Sequence, residues 1–208
     1  MLTLPHPATV RTAVAHGCPR VGGSVGSVPT PAPDPDLQPI DDVLPTRVAD
    51  LRLLICGINP GVASARTNRH YAGPGNRFWP ALSASGLVPY PVGPDDQHLL
   101  PGWGIGMTNL VARPSARATE VTAAELRAGG ERLLAFLAQH RPVVTAVLGV
   151  TTFRIAFGQP TAQRGPQPDR PDLWVLDNPS GLNAHTSVTA LATALAAAGR
   201  AAGLDPAR

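Results

Sequence analysis

Three short apolar runs constrain the fold of this chain most strongly. Leu51–Cys56, Val143–Leu148 and Leu173–Leu176 are too short for stable helices, and each leads into a glycine or an Asn-Pro turn. Such runs are typical of strands that are buried on both faces of a parallel sheet. Helical segments separate them, so the pattern predicts a three-layer α/β/α architecture around a central, mostly parallel short β-sheet.

The segments between these runs have helical spacing and helix-boundary residues. Residues 77–85 carry apolar side chains along one side, and residues 186–202 are rich in alanine and leucine. Between these two segments, Thr122 and Glu125 have the spacing of a capping box, a pattern that often begins a helix. We expect this helix to end near His140, because a proline follows two residues later.

Composition divides the chain into a domain and two tails. Residues 1–45 are rich in proline, glycine, serine and threonine, and the run Pro29–Asp36 can neither pair as a strand nor continue a helix. We predict a disordered N-terminal tail over 1–45, a globular domain over 46–203 and a C-terminal tail over 204–208. Two arginines and four aspartates give the N-terminal tail a charge of −2; the other residues, with 15 arginines and 10 acids, carry +5. This mild excess is compatible with a phosphate-binding face.

The composition also excludes several kinds of chemistry. All 17 basic side chains are arginines, so only the N-terminal amine could form a Schiff base. The two cysteines, Cys18 and Cys56, are too few for a four-cysteine iron–sulfur cluster and lack metal-ligand spacing. The six histidines are scattered along the chain. We therefore expect no metal and no cofactor, with both cysteines as free thiols.

The sequence has no feature of a membrane or secreted protein. No apolar run approaches the roughly 20 residues that a membrane-spanning helix requires. The N-terminus lacks a basic start followed by an apolar stretch, so it does not resemble a secretory signal. We expect a soluble cytoplasmic protein.

Three loops are expected to form one cleft, because ligands of parallel α/β sheets bind outside the carboxyl ends of the strands. These loops are residues 57–61, the region around Asn109, and residues 178–183. Ser64 and Ser180 lie nearby, but neither is part of a Gly-x-Ser-x-Gly motif, and no Gly-x-Gly-x-x-Gly follows the first strand. A serine hydrolase and a dinucleotide-binding enzyme are therefore disfavoured.

Two separated motifs carry a family resemblance. The first is Gly57-Ile58-Asn59-Pro60-Gly61, followed by Arg-His-Tyr-Ala-Gly-Pro-Gly-Asn-Arg-Phe-Trp at 69–79; the second is Asn-Pro-Ser-Gly-Leu-Asn at 178–183. Together they resemble the mismatch-specific uracil DNA glycosylases and thymine DNA glycosylases, and segments 106–111 and 128–133 resemble further parts of that family. The similarity runs from about residue 42 to residue 199. It implies a fold like that of uracil DNA glycosylases.

The resemblance implies that Asn59 is the catalytic residue. It implies that the side-chain amide orients a water towards C1′ of a deoxyuridine rotated out of the duplex. An amide can hold a water by hydrogen bonds but is a poor base. Other uracil glycosylases have aspartate at this position, so asparagine predicts a slower chemical step. Taken alone, the same residues describe an Asn-Pro turn at a strand end.

The resemblance also implies five base-binding residues. Backbone N–H groups near Ile58 are expected to meet the uracil carbonyl oxygens and to stabilise the charge on the departing base. Tyr71 aligns with an aromatic residue that stacks on the base, and Asn109 with an asparagine that hydrogen-bonds the pyrimidine edge. Ser64 lies in the stretch that meets C5 of the base, and His70 is a candidate base contact. Without the resemblance, Tyr71 describes a core tyrosine and Asn109 a turn residue.

The resemblance also implies that the second motif acts as a wedge in the DNA. Gly181 and Leu182 would fill the space of the extruded nucleotide and meet the orphaned guanine through backbone groups. Asn178 and Ser180 would contact phosphates or sugar, and Asn183 completes this DNA-contacting loop.

The wedge also contains one departure from the family pattern. An arginine often follows the last asparagine in the family, but this chain has Ala184 there. His185 is a candidate replacement, and it could equally begin the last helix.

These expectations combine into one function. We predict a monofunctional DNA glycosylase of base excision repair that hydrolyses the N-glycosidic bond of uracil mispaired with guanine in double-stranded DNA, with thymine or ethenocytosine as related substrates. Extrusion costs least at a mismatch, which favours G·U over A·U pairs. We expect a monomer acting at the nucleoid of a bacterial cell. The alternative is a non-catalytic protein that binds mismatched or damaged DNA on the same fold.

Overall fold

The computed structural model describes residues 37–181 and 186–204, in which strands and helices alternate. The strands are β1 (Leu53–Gly57), β2 (Ile105–Asn109), β3 (Val144–Leu148), β4 (Gly165–Gln167) and β5 (Arg170–Leu176). The α-helices are α1 (Val62–Thr67), α2 (Phe78–Ala84), α3 (Ala123–His140), α4 (Val150–Ala156) and α5 (Val188–Ala201). Three 3₁₀ segments complete the described elements: Val48–Asp50, Pro94–Trp103 and Ala118–Glu120.

The strands form one sheet in the order β2-β1-β3-β5-β4. All neighbouring pairs are parallel except β4 and β5, which form an antiparallel edge. The predicted central, mostly parallel sheet is therefore confirmed. Because β1, β2, β3 and β5 are parallel to one another, the loops that follow them open at the same edge of the sheet.

Helices cover both faces of the sheet, as the sequence predicts. Alternate residues of β1 point to opposite sides: Leu53 and Ile55 join a core that includes α2 and α5, and Leu54 and Cys56 join a core that includes α3 and α4. Each of these four side chains is fully buried. Burial on both faces explains why β1 is apolar throughout instead of alternating with polar residues.

Helix α3 begins at the predicted capping box and approaches its neighbours very closely. Thr122 accepts from the backbone N–H of Glu125, and Glu125 accepts from that of Thr122. A Cβ on Gly129 would lie 2.4 Å from the Leu110 carbonyl oxygen, and one on Gly130 would lie 2.4 Å from that of Ala156. Because Gly129 and Gly130 have no side chains, α3 packs directly on the backbone that follows β2 and on the last residue of α4.

Some element boundaries differ from the sequence prediction. The structure adds the short helices α1 and α4 and the edge strand β4, which have no strong periodic pattern. Strand β5 begins at Arg170, before the apolar run, because its first residues pair with β4. Helix α5 begins at Val188 after Ser187, whose hydroxyl accepts from the N–H of Ala190.

The structure describes only a small part of the two predicted tails. Residues 1–36 and 205–208 lie outside the described residues, so most of both predicted tails does too. Within the segment 37–45, Val43 is buried and exchanges two backbone hydrogen bonds with Met107 of β2. This pairing adds the end of the predicted N-terminal tail to the edge of the sheet.

Candidate active site

The loops after β1, β2 and β5, together with Leu148 at the end of β3, line a cleft of about 520 Å³. Pairing between the first two loops continues past the strands, since Leu110 and Val111 donate their N–H groups to the carbonyl oxygens of Gly57 and Ile58. The cleft is lined by nine residues that the sequence predicts as functional: Ile58, Asn59, Ser64, His70, Tyr71, Asn109, Asn178, Ser180 and Gly181. The remaining two, Leu182 and Asn183, lie outside the described residues.

The side-chain amide of Asn59 is held in one orientation. Its Nδ2 donates to the carbonyl oxygen of Arg113 at 3.0 Å and to the Ser115 hydroxyl at 2.8 Å. The Ser115 hydroxyl is itself a donor to the carbonyl oxygen of Arg117, so towards Asn59 it can only accept. Both amide hydrogens are thereby used, and Oδ1 remains as an accessible acceptor in the cleft. A water can be bound at this oxygen.

The loop that holds Asn59 is fixed by further contacts. Ser115 donates its N–H to the carbonyl oxygen of Pro60, and Arg113 makes two hydrogen bonds to the carboxylate of Glu125. The hydrogen bonds from Arg113 and Thr122 lower the pKa of Glu125 to about 2, so this carboxylate is ionised at neutral pH. The helix cap of α3 is therefore connected through Arg113 to the amide of Asn59.

Arg113 and Ser115 are the site residues that sequence reasoning missed. They lie beyond segment 106–111, in a loop that has no motif or periodic pattern. Their polar groups become significant only because the fold brings them to Asn59, which is 56 residues from Ser115 in the chain.

Asn109 and Tyr71 meet above the bare Cα of Gly57. A Cβ at Gly57 would lie 2.4 Å from Asn109 Oδ1 and 2.9 Å from the Tyr71 hydroxyl. His70 is 1% exposed, and its Nδ1 lies 3.5 Å from Asn109 Nδ2. Burial lowers the pKa of His70 to about 4, so the ring is neutral at physiological pH.

Tyr71 is held in a left-handed backbone conformation, with φ of 54°. Such a conformation is uncommon for an aromatic residue and often marks functional segments. Its ring stacks on Phe78, with centroids 4.1 Å apart and an interplanar angle of 26°. Its hydroxyl is buried without a hydrogen-bond partner, and this burial raises the pKa of Tyr71 well above its usual value. Tyr71 is therefore a neutral aromatic group at the cleft wall.

Ser64 and Ile58 contribute the remaining predicted base-binding positions. Ser64 is buried in α1, and its hydroxyl accepts from the N–H of Ala72 at 3.1 Å, which connects α1 to the loop before α2. Ile58 packs against the core that includes α3 and α4 and leaves part of its surface in the cleft. Both residues therefore shape the cleft wall beside Asn59.

The loop after β5 is docked on the segment before α2. Arg77 donates its backbone N–H to the Pro179 carbonyl oxygen and a guanidinium N–H to that of Ser180, both at 2.9 Å. The backbone of Gly181 lies so close to Gly75 that a Cβ on Gly181 would be 2.8 Å from the Gly75 carbonyl oxygen. Both predicted motifs thus meet at one rim of the cleft.

The charges at the cleft suit an anionic ligand. Arg66 and Arg117 are its only charged lining residues in the described part of the chain, and no carboxylate lines it. Residues 37–181 and 186–204 contain no cluster of three or more metal-ligating side chains. None of the helices in those same ranges is long and apolar enough to cross a membrane.

A comparison with protein families agrees with this geometry. Residues 45–198 match the model of the Uracil DNA glycosylase superfamily. The matched region contains every strand of the sheet and all the cleft loops described above. The chain therefore belongs to the uracil DNA glycosylase superfamily, and its activity is that of a DNA glycosylase.

Proposed function

We propose that this protein is a monofunctional, mismatch-specific uracil DNA glycosylase. It hydrolyses the N-glycosidic bond of uracil mispaired with guanine in double-stranded DNA and acts in base excision repair. Thymine and ethenocytosine opposite guanine are proposed as related substrates. The proposal includes a monomer in the cytoplasm that reaches its substrate by base flipping.

The orientation of Asn59 is the observation that carries this proposal. Both Nδ2 hydrogens are bound by the protein, so the accessible Oδ1 can accept a hydrogen bond from a water. The lone pair of this water is then directed towards C1′. Because an amide is a poor base, Asn59 positions this water without removing its proton. The bond from C1′ to N1 of uracil breaks and uracil leaves as a stabilised anion; the water oxygen then bonds to C1′, and the proton that this water loses passes to the uracil anion or to solvent.

The cleft walls support extrusion of a single pyrimidine. Tyr71 is already stacked on Phe78, so the aromatic surface is preorganised for a base. Arg77 holds the loop 178–181 in place, so this loop can support a wedge that replaces the extruded nucleotide. Because extrusion costs least where pairing is weak, a G·U pair is expected to react faster than an A·U pair.

The absence of lysine supports a monofunctional mechanism. No side-chain amine is available to attack C1′, so the reaction ends at an abasic site with the DNA strand intact. Borohydride treatment during turnover is expected to leave no covalent protein–DNA adduct. A trapped adduct would contradict the water mechanism.

A single-turnover base-release assay tests the proposal. Duplexes that contain one G·U, A·U, G·T or G·ethenocytosine pair are incubated with wild-type protein, Asn59→Ala and Gln139→Ala. Gln139 lies exposed on α3 and serves as the matched amide control. We expect the wild type and Gln139→Ala to release uracil fastest from G·U, and Asn59→Ala to be slower by about 100-fold or more.

Two results would contradict the proposal. Wild-type protein that binds the mismatched duplexes but releases no base would support the non-catalytic alternative. An Asn59→Ala variant with the wild-type rate would exclude Asn59 as the residue that positions the water.

A further inference from the structure

His70 is rigidly held behind Asn109. Its backbone N–H donates to Oε1 of Gln97 at 2.8 Å, and its carbonyl oxygen accepts from the indole N–H of Trp79 at 2.9 Å. The side chain is 1% exposed, so it has little freedom to reorient. The ring is therefore held with Nδ1 turned towards Asn109.

The neighbours of the ring select one tautomer. Nε2 lies 3.1 Å from the carbonyl oxygen of Asp41, which can only accept, so Nε2 carries the hydrogen. In a neutral imidazole the other nitrogen is then an acceptor. This acceptor, Nδ1, faces Nδ2 of Asn109 at 3.5 Å.

This acceptor determines which way the amide of Asn109 points. With Nδ2 turned to His70, Oδ1 lies over Gly57, where there is no side chain to block it. The reversed amide would bring an oxygen lone pair against the lone pair of His70 Nδ1. Oδ1 has no partner among the described residues, so it is available to a base in the cleft.

We propose that His70 is a positioning residue that keeps the Oδ1 of Asn109 towards the bound base and thereby selects uracil over cytosine. Uracil presents an N–H donor at N3, which matches this oxygen. Cytosine presents an acceptor at N3 and a donor amino group at C4, so the same oxygen opposes the lone pair of its N3. This inference rests on the proposed function.

This selection matters because guanine recognition alone is insufficient. A glycosylase that favours guanine in the opposite strand meets normal G·C pairs at every such site. The wedge cannot distinguish them from G·U, since the opposing base is the same. Discrimination must then come from the edge of the extruded pyrimidine, and a buried polar group that is left mispaired gives strong discrimination.

Two His70 variants separate the hydrogen-bonding role from packing. His70→Gln retains both an acceptor for Asn109 and a donor for Asp41, and His70→Leu retains neither. We expect His70→Leu to lower the single-turnover rate on G·U about 10- to 100-fold and to reduce the ratio of uracil to cytosine release. His70→Gln is expected to restore most of both, and the exposed His98→Leu serves as the control.

The pH profile and the tautomer give two readouts that packing alone would not move. The charged or titratable residues that contact His70 or adjoin it in the chain are Asp41, Arg69 with its ion-pair partner Asp95, and Tyr71. We expect the wild-type rate to fall as the pH approaches about 4, and this acid limb to be absent in His70→Gln. Nitrogen-15 NMR of the labelled protein at pH 7 is expected to show His70 as the Nε2–H tautomer.

The outcomes distinguish this inference from the proposed function. If the wild type releases no uracil, the proposed function is wrong. If the wild type is active, the inference is overturned by an unaffected His70→Leu, by a His70→Gln variant as impaired as His70→Leu, or by a Nδ1–H tautomer. Thermal melting of each variant identifies a loss that is due to unfolding, and the NMR result does not depend on any variant.

Discussion

The Ser115 hydroxyl lies 2.8 Å from Asn59 Nδ2 and donates its own hydrogen to the Arg117 carbonyl oxygen, also at 2.8 Å. A hydroxyl that is committed as a donor in one direction must accept in the other. Ser115 therefore determines the amide orientation of Asn59, together with the carbonyl of Arg113. The geometry of the catalytic amide thus depends on a loop that no sequence motif identifies.

Removing the Ser115 hydroxyl is expected to reduce the rate of chemistry more than DNA binding. In Ser115→Ala, Nδ2 of Asn59 loses its shortest hydrogen bond and keeps those to the carbonyl oxygens of Arg113 and Pro60, so the amide is held less tightly in the orientation that positions the water. We expect the single-turnover rate to fall about 10-fold, the equivalent of one net hydrogen bond, with little change in the Kd for DNA. Ser115→Thr should retain the activity, and Thr119→Ala, at an exposed position in the 3₁₀ segment that follows, is the hydroxyl control. A loss confined to the Kd would contradict this role.

A methyl group at Gly57 is expected to disturb the base-binding side chains. The added Cβ would lie within 2.4 Å of Asn109 Oδ1 and 2.9 Å of the Tyr71 hydroxyl, so both side chains must shift. We expect Gly57→Ala to lower the free energy of unfolding by about 1–3 kcal/mol and to reduce uracil release. Gly61→Ala is the matched control, because nothing lies within 4 Å of its added Cβ. Denaturant unfolding and base release measure the two effects, and equal stability losses in both variants would refute the steric explanation.

The Arg113–Glu125 pair is expected to make stability depend on acid pH. The pKa of Glu125 is lowered from its ordinary value of 4.5 to about 2, so its ionised form stabilises the folded state at neutral pH. This contribution is lost as the pH falls from about 5 towards 2. Glu125→Gln should therefore lower the melting temperature at pH 7, with a difference from wild type that shrinks on acidification. Asp172→Asn, in a more exposed ion pair with Arg170, should have a smaller effect, and a pH-independent difference for Glu125→Gln would exclude the ionic origin.

The layered fold could be predicted because its elements have strong local patterns. The apolar run that became β1 and the capping box at Thr122 appear in the structure within a few residues of their expected positions. The short elements α1, α4 and β4 could not be predicted in the same way. Helix α4 packs on α3 and on the sheet, and β4 pairs with β5; local patterns do not encode such contacts.

In the candidate site, too, some residues could be predicted from the sequence and others could not. Asn59, Tyr71 and Asn109 could be selected because they lie in motifs, and the structure brings them to one cleft. The sequence could not show that His70 lies behind Asn109 with its ring nitrogens turned to Asp41 and Asn109. Hydrogen-bond partners 29 and 39 residues away leave no periodic trace in the chain.

The sequence by itself determined the class of the fold and the motifs at the strand ends, because strand burial and helix capping are local and repetitive. It also determined that no lysine amine takes part in the chemistry. Only the tertiary structure decided the direction in which the amides of Asn59 and Asn109 point. An amide has a donor end and an acceptor end of nearly equal size, so its orientation is set by whichever partners the fold brings within hydrogen-bond distance.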